Sequence, residues 1–136
     1  MATVSKPTVL DRLSLLADRT RSRILLLLDR HELTVTELCT ILQLPQSTVS
    51  RHLTTLADDG WLVARGDGTT RFYKMVGTLL DAATKDLWLL VRAQMASAPS
   101  VGEDQRRAIS VLQRRIAKAR VFFADSAEYW DRLRSE

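Results

Sequence analysis

Cysteine and histidine are scarce in this chain of 136 residues, which contains only Cys39, His31 and His52 of these two types. A single cysteine excludes an internal disulfide framework and fits a reducing compartment. So few thiolate and imidazole groups cannot easily surround a soft or borderline metal ion. The sequence also has no Ser/His/Asp set, no Cys/His pair and no cofactor motif. We therefore predict that the chain holds no metal or cofactor and is not an enzyme.

The chain also lacks long apolar runs and strongly charged segments. No uninterrupted apolar run approaches the ~18 residues of a membrane-spanning helix, and the opening residues MATVSKPTVLDRL lack the apolar core of a secretory leader. We therefore predict a cytoplasmic protein without membrane contact. The net charge of +4 is evenly spread, because residues 1–75 and residues 76–136 each contain ten Lys/Arg against eight Asp/Glu. Binding to nucleic acid would thus depend on a few well-placed cations and not on a basic tail.

The first thirty residues predict two helices. Beyond Thr8, apolar residues recur at helical spacing at Val9, Leu13 and Leu16. The following segment, RTRSRILLLLDR, is apolar over most of its helical surface, and Asp18 is placed to cap it. Such a helix is expected at the centre of a small core.

The next segment predicts two short helices joined by a tight turn. Thr34 and Glu37 have the spacing of a capping box, in which each side chain accepts a hydrogen bond from the other residue's backbone amide. The Leu44-Pro45 step ends this third helix, because helical backbone is disfavoured before proline. The fourth helix then runs from Gln46 to about Asp58.

The fourth helix has two chemically different faces. At roughly 100° per residue, one arc carries the apolar residues Val49, Leu53 and Leu56, with His52 on its flank. The opposite arc carries small hydroxyls, a guanidinium and a carboxylate, at Ser47, Ser50, Arg51, Thr54 and Asp58. The first arc can be buried while the second faces a polar partner. Taken alone, the second arc would be explained more simply as a solvated helix face.

Two β-rich segments follow, Trp61 to Arg65 and Thr70 to Met75, on either side of Gly66-Asp67-Gly68-Thr69. Asp-Gly between such segments is a strong indication of a β-hairpin. Four helices followed by a hairpin form the order of a winged helix-turn-helix domain. The predicted fold class is therefore mainly α with a small β-hairpin, extended by C-terminal dimerisation helices.

Two more helices are predicted after Gly77. The fifth is followed by a small-residue break at Ala96 to Ser100, and a long helix then extends from Glu103 to about Arg134. Along it, an apolar seam steps by three and four residues through Ile109, Leu112, Ile116, Ala119 and Phe123. This seam needs a partner, either its own domain or a second copy of the chain. We thus predict two units: residues 1–97, a winged helix-turn-helix with a dimerisation helix, and residues 98–136, a linker with a long helix for dimerisation or for connection to a further domain.

The residues from the first helix to the hairpin resemble a known family. LADRTRSRILLLL and ELTVTELCTILQLPQSTVSRHLTTLADDGWLVARGDGTTRFYKM look like the ArsR/SmtB family of bacterial winged-helix transcriptional regulators. The resemblance covers about residues 9–75, and QSTVSRHLTTLADDGWL is its most specific part. It implies a homodimer, held by the first and fifth helices, that binds a pseudo-palindromic operator in double-stranded DNA. The expected function is that of a sequence-specific transcriptional regulator acting as a repressor.

In this family the start of the fourth helix contacts DNA, which implies such a role here for Gln46, Ser47, Ser50 and Arg51. A helix fits the major groove, where Arg51 can bind guanine and Gln46 can bind adenine through paired hydrogen bonds. Ser47 and Thr48, with the first backbone amides of the helix, suit phosphates.

Three further residues complete the predicted DNA-binding set. Thr54 shares the exposed arc of the fourth helix, and Arg65 and Arg71 flank the tip of the hairpin, the wing. A guanidinium there can enter the minor groove or meet a backbone phosphate. The equally simple alternative is that these arginines only keep the hairpin soluble.

The usual metal positions of the family are not filled. Thr34 and Thr36 stand where the third-helix cysteines of metal-sensing members occur, and the fifth helix has no histidine. We predict no metal sensing at these positions. Cys39 is expected to be a buried, inert thiol, because no second cysteine can resolve an oxidised one. A small-molecule effector, bound in a pocket between helices, is left open by the sequence.

The end of the chain has a second resemblance. ARVFFADSAEYWDRLRSE looks like the junction in proteins that fuse this DNA-binding domain to an S-adenosylmethionine-dependent methyltransferase. The matching residues are Phe122, Phe123, Ala127, Trp130, Asp131 and Leu133. The alternative function is therefore the N-terminal regulatory portion of such a fusion protein.

Overall fold

The computed structural model describes residues 8–134; the first seven and the last two residues, which belong to the two predicted units, lie outside this range. In chain order the elements are α1 (Val9–Leu16), α2 (Arg19–Arg30), β1 (Leu33–Thr34), α3 (Val35–Leu42), α4 (Gln46–Asp58), β2 (Leu62–Asp67), β3 (Thr70–Met75), a 3-10 turn (Gly77–Leu79), α5 (Ala82–Met95) and α6 (Pro99–Arg134). The predicted class, mainly α with a small hairpin in a winged helix-turn-helix arrangement, is confirmed.

Local capping sets where the early helices begin. The Asp18 carboxylate accepts a hydrogen bond from the Arg21 amide at 3.0 Å. Thr34 and Glu37 form the predicted capping box, with N–O distances of 3.0 and 3.1 Å. Each such cap contributes about 1 kcal/mol. α2 and α3 consequently begin directly after Asp18 and Thr34, where the sequence predicts their caps.

The wing is part of a sheet that is one strand larger than expected. β2 and β3 pair antiparallel as far as Asp67 opposite Thr70, so the turn is Gly68-Thr69 alone and not the four predicted residues. Gly68 has a φ of +63°, which glycine adopts without a steric penalty. The missed strand, β1, pairs with β3 and gives the order β1-β3-β2. With two residues, β1 has no periodicity from which it could be predicted.

α2 lies at the centre of the core, as its sequence predicts. It contacts α1, α4, α6 and β3. Its fully buried side chains are Ile24, Leu25, Leu27 and Leu28. Burial of each contributes about 1.5–3 kcal/mol. At the base of the wing, Trp61 meets Trp88 of α5 edge to face, with 6.4 Å between ring centroids, and so attaches the wing to α5.

α6 begins at Pro99 and not at Glu103, since proline is well tolerated in the first helical turn. Its first third packs on α2 and α3 through a face that differs from the predicted seam, formed by Val101, Asp104, Ala108 and Val111. The seam lies about 100° further around the helix; Ile109, Ile116 and Phe123 are exposed in the single chain. Hydrophobic periodicity does not indicate this packing face, because the face includes the charged Asp104 and the small Ala108. Residues 101–111 thus share the core of the preceding helices, although the sequence assigns them to the second unit.

The outer surfaces of α1 and α5 carry several exposed apolar side chains. These helices pack on one another, and α1 also packs on α2. Val9 and Leu13, which the sequence groups with Leu16, are exposed, and so is Leu90 of α5. Two neighbouring helices thus present uncovered apolar side chains. None of the helices between residues 8 and 134 combines the length and apolarity needed to traverse a bilayer.

Candidate nucleic-acid interface

α4 buries one side and presents the other, as the sequence predicts. Val49, Leu53, Leu56 and His52 are buried. On the outer side, Gln46, Ser47, Arg51 and Thr54 are exposed, and Thr48 and Ser50 are half-buried. The Thr54 hydroxyl donates to the Ser50 carbonyl at 3.0 Å, which leaves its oxygen as an acceptor. The division into two faces is confirmed, whereas DNA contact by the outer face stays a prediction.

His52 is a structural residue of the inner face. Burial lowers the pKa of its imidazole, and the Asp18 carboxylate opposes this shift only in part. The lowered pKa keeps the ring neutral at pH 7. A neutral, buried ring suits packing and not the binding of phosphate, which agrees with the place of His52 beside the apolar arc of the helix.

The start of α4 differs from the starts of α1, α2, α3 and α5, which are capped by side chains. The N-cap residue of α4 is Pro45, and no side chain in the described part of the chain caps its first turn. The backbone bonds of the helix begin with the Val49 amide, which donates to the Pro45 carbonyl at 3.1 Å. The preceding amides, near the exposed Ser47, are available to an external acceptor at the positive end of the helix dipole.

A left-handed residue sets the angle between α3 and α4. Gln43 has a φ of 57° and a ψ of 47°, a conformation that costs a non-glycine residue about 1–2 kcal/mol. It allows the Leu44 amide to donate to the Cys39 carbonyl at 3.2 Å, which closes the end of α3. The chain can then reverse into α4 within three residues, Gln43 to Pro45.

A buried ion cluster holds the same turn from the side of α6. Asp104 is 2% exposed, and both its carboxylate oxygens accept from Arg23, at 2.8 Å each. Arg107 donates to the same carboxylate at 3.0 Å and also to the Ile41 carbonyl. Cations near the last carbonyls of a helix are favourable, so the cluster stabilises the C-terminal end of α3. No local sequence pattern indicates this cluster, because Arg23 and Asp104 are 81 residues apart.

Three side chains hold the other end of α4. Arg12 of α1 donates to the Asp59 carbonyl at 2.9 Å and pairs with the Asp59 carboxylate at 3.5 Å. The Trp61 indole N–H donates to that carboxylate at 2.8 Å, and the Arg12 guanidinium lies 5.4 Å from the centroid of the Trp61 ring. α4 is therefore fixed at both ends, which sets the direction of its outer face.

Arg65 is held on the α6 side of the wing. Its Nε donates to the Glu32 carboxylate at 2.8 Å, and its guanidinium carbon lies 4.7 Å from the centroid of the Phe72 ring. The hydrogen bond from Arg65 lowers the pKa of Glu32, so this carboxylate is charged at neutral pH. A DNA contact by Arg65 would compete with this pairing.

Arg71 lies on the opposite face of the wing, next to α4. The strand register pairs Arg65 with Phe72 and Arg71 with Gly66, and adjacent pairs point to opposite faces of a sheet. Arg71 lines a groove between the wing and α4 together with Thr54. Among residues 8–134 it forms no ion pair. Because side chains alternate between the two faces along each strand, the sequence alone could have predicted that Arg65 and Arg71 lie on opposite faces of the wing.

The neighbourhood of α3 offers few metal ligands. Across residues 8–134, no three His, Cys, Asp or Glu side chains come close enough together to hold a metal ion. Thr34, at one of the family's cysteine positions, is engaged in the cap of α3. Cys39 is half-buried, and burial raises the pKa of its thiol, which disfavours the reactive thiolate.

Comparison with known proteins gives one family match. A family model described as bacterial regulatory protein, arsR family, matches residues 18–62. This segment extends from the N-cap of α2 to the first residue of β2 and contains the whole helix-turn-helix. Among curated protein sequences, none matches the chain.

Several solved structures are similar to the chain. Reduced HlyU from Vibrio cholerae is 33% identical with a TM-score of 0.51, over 60% of this chain and 82% of HlyU. The antimony-specific transcriptional repressor AntR is 30% identical with a TM-score of 0.54, over 66% of this chain and 78% of AntR. The homodimeric winged helix-turn-helix DNA-binding domain of Mb0332 from Mycobacterium bovis is 28% identical with a TM-score of 0.51, over 73% of this chain and 94% of that domain.

Proposed function

Because this chain belongs to the arsR family of bacterial regulatory proteins, we propose that it is a homodimeric transcriptional repressor that binds a pseudo-palindromic operator. One observation carries the proposal: the outer face of α4 is polar and exposed, begins at a helix start without a side-chain cap, and adjoins Arg71 of the wing. The proposed activity is DNA binding without catalysis, cofactor or metal sensing.

Arg51 and Gln46 are the residues that we propose to contact base edges. Both are exposed in the first two turns of α4, the part of a recognition helix that reaches base edges in the major groove. Arg51 makes no ion pair within residues 8–134, so its guanidinium is free to bind the two acceptors of a guanine. Gln46 matches the donor and acceptor of an adenine. Each contact would contribute about 1–3 kcal/mol of discrimination against a wrong base.

Contacts to the DNA backbone would position the helix. Ser47, Thr48 and the first amides of α4 form one group of donors, and Ser50 and Thr54 extend the polar face along the helix. On the wing we propose Arg71, in preference to Arg65, as the cation that reaches phosphate or the minor groove. The support is its place beside α4, whereas Arg65 is already bound to Glu32.

Dimerisation would use the uncovered apolar faces of α1 and α5. Leu10 of α1 is 72% exposed and Leu90 of α5 is 59% exposed, on two helices that pack on one another. Exposed apolar surface that is shared by neighbouring elements favours a protein–protein contact. A two-fold dimer would place two copies of α4 about one duplex turn, roughly 34 Å, apart. The homodimeric state of the Mb0332 domain supports this arrangement.

A second candidate function rests on the last part of α6. Between residues 121 and 133 its large side chains are exposed, including Phe123 at 69% and Trp130 at 59%. This uncovered surface favours contact with a further domain, as expected for the regulatory portion of a methyltransferase fusion. Sequencing the gene beyond the codon for Glu136 tests this candidate: an open frame that continues into a glycine-rich β-α unit would support it, and an immediate stop codon would remove it.

Selection from a random duplex pool tests the leading proposal. We expect recovery of one pseudo-palindromic sequence, bound with a stoichiometry of two chains per duplex. In a mobility-shift titration at fixed salt, Arg51→Ala should lose selectivity for this sequence over random DNA. Arg30→Ala is the matched control, because Arg30 is exposed at the end of α2 and lines a groove with α5 and α6, away from α4. Equal selectivity of Arg51→Ala and the parent would contradict the contact assignment.

A further inference from the structure

We propose that the cleft between α3, the wing and α6 is a binding site for a small organic anion. The cleft has a volume of about 440 Å³, within the range of about 300–1,000 Å³ that is usual for small-molecule sites. It lies at the beginning of α3 and extends along two turns of α6. The residues that line it come from β1, α3, β3 and α6, so a ligand there would contact several elements at once.

Positive charge dominates this cleft. Arg114, Arg115 and Lys118 contribute three cations from α6, and Glu37 contributes the one carboxylate of the lining. Arg115 already pairs with Glu37, its Nε donating at 2.9 Å. In the part of the chain that the structure describes, Arg114 and Lys118 form no ion pair. Two uncompensated cations therefore face the same space, which favours a ligand with one or two negative charges.

Hydroxyl groups and apolar side chains complete the lining. Thr36 of α3 and Thr70 at the start of β3 can donate to anionic oxygens. The apolar part consists of Val111 and Phe72, and the Phe72 ring centroid lies 5.3 Å from the guanidinium carbon of Arg115. Cations next to apolar side chains suit an aryl or alkyl carboxylate, or a phosphate monoester with an apolar body. A metal ion is a poor match, because the lining has a single carboxylate and no His or Cys.

The position of the cleft argues for a small molecule and against the DNA backbone. Thr70 and Phe72 alternate with Arg71 along β3, so the cleft and Arg71 lie on opposite faces of the wing. The proposed DNA contacts are all on the α4 face. A ligand in the cleft would instead bridge the first turn of α3 and the wing from behind.

This location gives the ligand a regulatory role. Bound to α3, β3 and α6 together, an anion would favour one position of the wing relative to α3, and operator affinity would change to the extent that the two positions bind DNA differently. The regulatory part rests on the proposed DNA-binding function. The binding part does not, and it is measured without DNA.

Calorimetric titration of the full chain with phenyl phosphate and benzoate, and with uncharged benzamide, tests the site. We expect saturable binding of at least one anion and none of benzamide. The double variant Arg114→Gln/Lys118→Gln should weaken anion binding by at least about tenfold, as expected for the loss of charge-assisted hydrogen bonds. Arg106→Gln/Arg120→Gln is the control, because it removes the same charge from exposed positions of α6 outside the cleft lining and should bind like the parent.

Each outcome decides the proposal. Absence of saturable binding by either anion, or equal weakening by both double variants, overturns the site. If Arg114→Gln/Lys118→Gln binds the anions as tightly as the parent but binds the operator more weakly, these two cations belong to the DNA interface. That result would likewise overturn the site. If anion binding depends on Arg114 and Lys118 but leaves operator affinity unchanged, the site stands and its regulatory role is rejected. Failure of the chain to bind any duplex would reject the proposed function while the calorimetric result still decides the site.

Discussion

The two faces of the wing carry the same residue type in different situations. On the α6 side, Arg65 pairs with Glu32 and stacks on Phe72. On the α4 side, Arg71 adjoins a helix face that carries Arg51, and neither forms an ion pair within residues 8–134. The partners of each arginine, and not its residue type, thus distinguish the arginines that stabilise this fold from those that are open to a ligand. The α6 side should therefore respond to mutation in stability, and the α4 side in DNA binding.

The largest expected effect on the α6 side comes from Asp104→Ala. This change leaves Arg23 and Arg107 charged, partly buried and without their shared carboxylate. We expect a loss of about 3–5 kcal/mol in the free energy of unfolding, the usual result of removing one partner of a buried ion pair. Urea unfolding followed by circular dichroism measures it.

Asp125→Ala is the control for this variant. Asp125 is an exposed acid on the same helix, so its replacement should change the free energy of unfolding by less than about 0.5 kcal/mol. If both substitutions lowered the free energy of unfolding equally, Asp104 would not stabilise the fold more than an exposed acid on the same helix.

The wing itself offers the sharpest test on the α4 side. Arg71→Ala should weaken operator binding about tenfold and reduce the slope of log K against log salt by about one. Arg65→Ala removes the same guanidinium from the other face and should leave operator affinity nearly unchanged. Fluorescence anisotropy at several salt concentrations measures both. A larger loss for Arg65→Ala than for Arg71→Ala would reverse the assignment of the two faces.

A smaller effect is expected in the acid stability of the α6 side. Burial raises the pKa of Glu37, but hydrogen bonds from Arg115 and Thr34 outweigh it, and the pKa in the folded state is lowered from its ordinary value of 4.5. A carboxyl whose pKa is lowered by folding stabilises the protein above its ordinary pKa, and this contribution is lost as the pH falls from 4.5 through the folded value.

Glu37→Gln should therefore cost about 1 kcal/mol at neutral pH and progressively less below the ordinary pKa of glutamate. Glu128→Gln, at an exposed position of α6, is the control and should leave the pH dependence as it is in the parent. Thermal unfolding between neutral and acid pH makes the comparison. A Glu37→Gln deficit that does not shrink on acidification would show that the pair with Arg115 contributes nothing through its charge.

The smallest effect concerns the turn between α3 and α4. Gln43→Gly should stabilise the protein by about 0.5 kcal/mol, because relief of the left-handed strain exceeds the added entropy of the unfolded chain. Gln43→Ala keeps the strain and should leave stability within about 0.5 kcal/mol of the parent. Chemical unfolding of the three proteins tests this order. A less stable glycine variant would mean that the Gln43 side chain itself supports the turn.

Sequence could predict the parts of this fold that depend on neighbours in the chain. α2 and α4 begin where Asp18 and Pro45 require, and the buried arc of α4 follows from its own periodicity. β1 could not be predicted, because its two residues are a strand only through pairing with Phe72 and Tyr73 of β3.

Long-range pairing also explains what was missed around the candidate site. The cluster of Arg23, Asp104 and Arg107 and the pair of Arg115 with Glu37 connect α6 to helices far earlier in the chain. Periodicity showed that α6 is amphipathic, but the choice of its packing face depends on these ion pairs. The exposed side of α4, in contrast, follows from local periodicity alone. Most of the predicted contact residues on that helix are therefore exposed, and Thr48 and Ser50 are half-buried.

DNA should meet the α4 face of the molecule, and amide chemical-shift mapping of the full chain locates the contact residue by residue. Addition of the selected operator duplex should shift the amides of Gln46 to Thr54 and of Arg71, and leave those of Arg65 and of α6 between Asp104 and Lys118 nearly unchanged. Shifts concentrated on the α6 face of the wing, with α4 unaffected, would place the DNA on the opposite face and overturn the proposed interface.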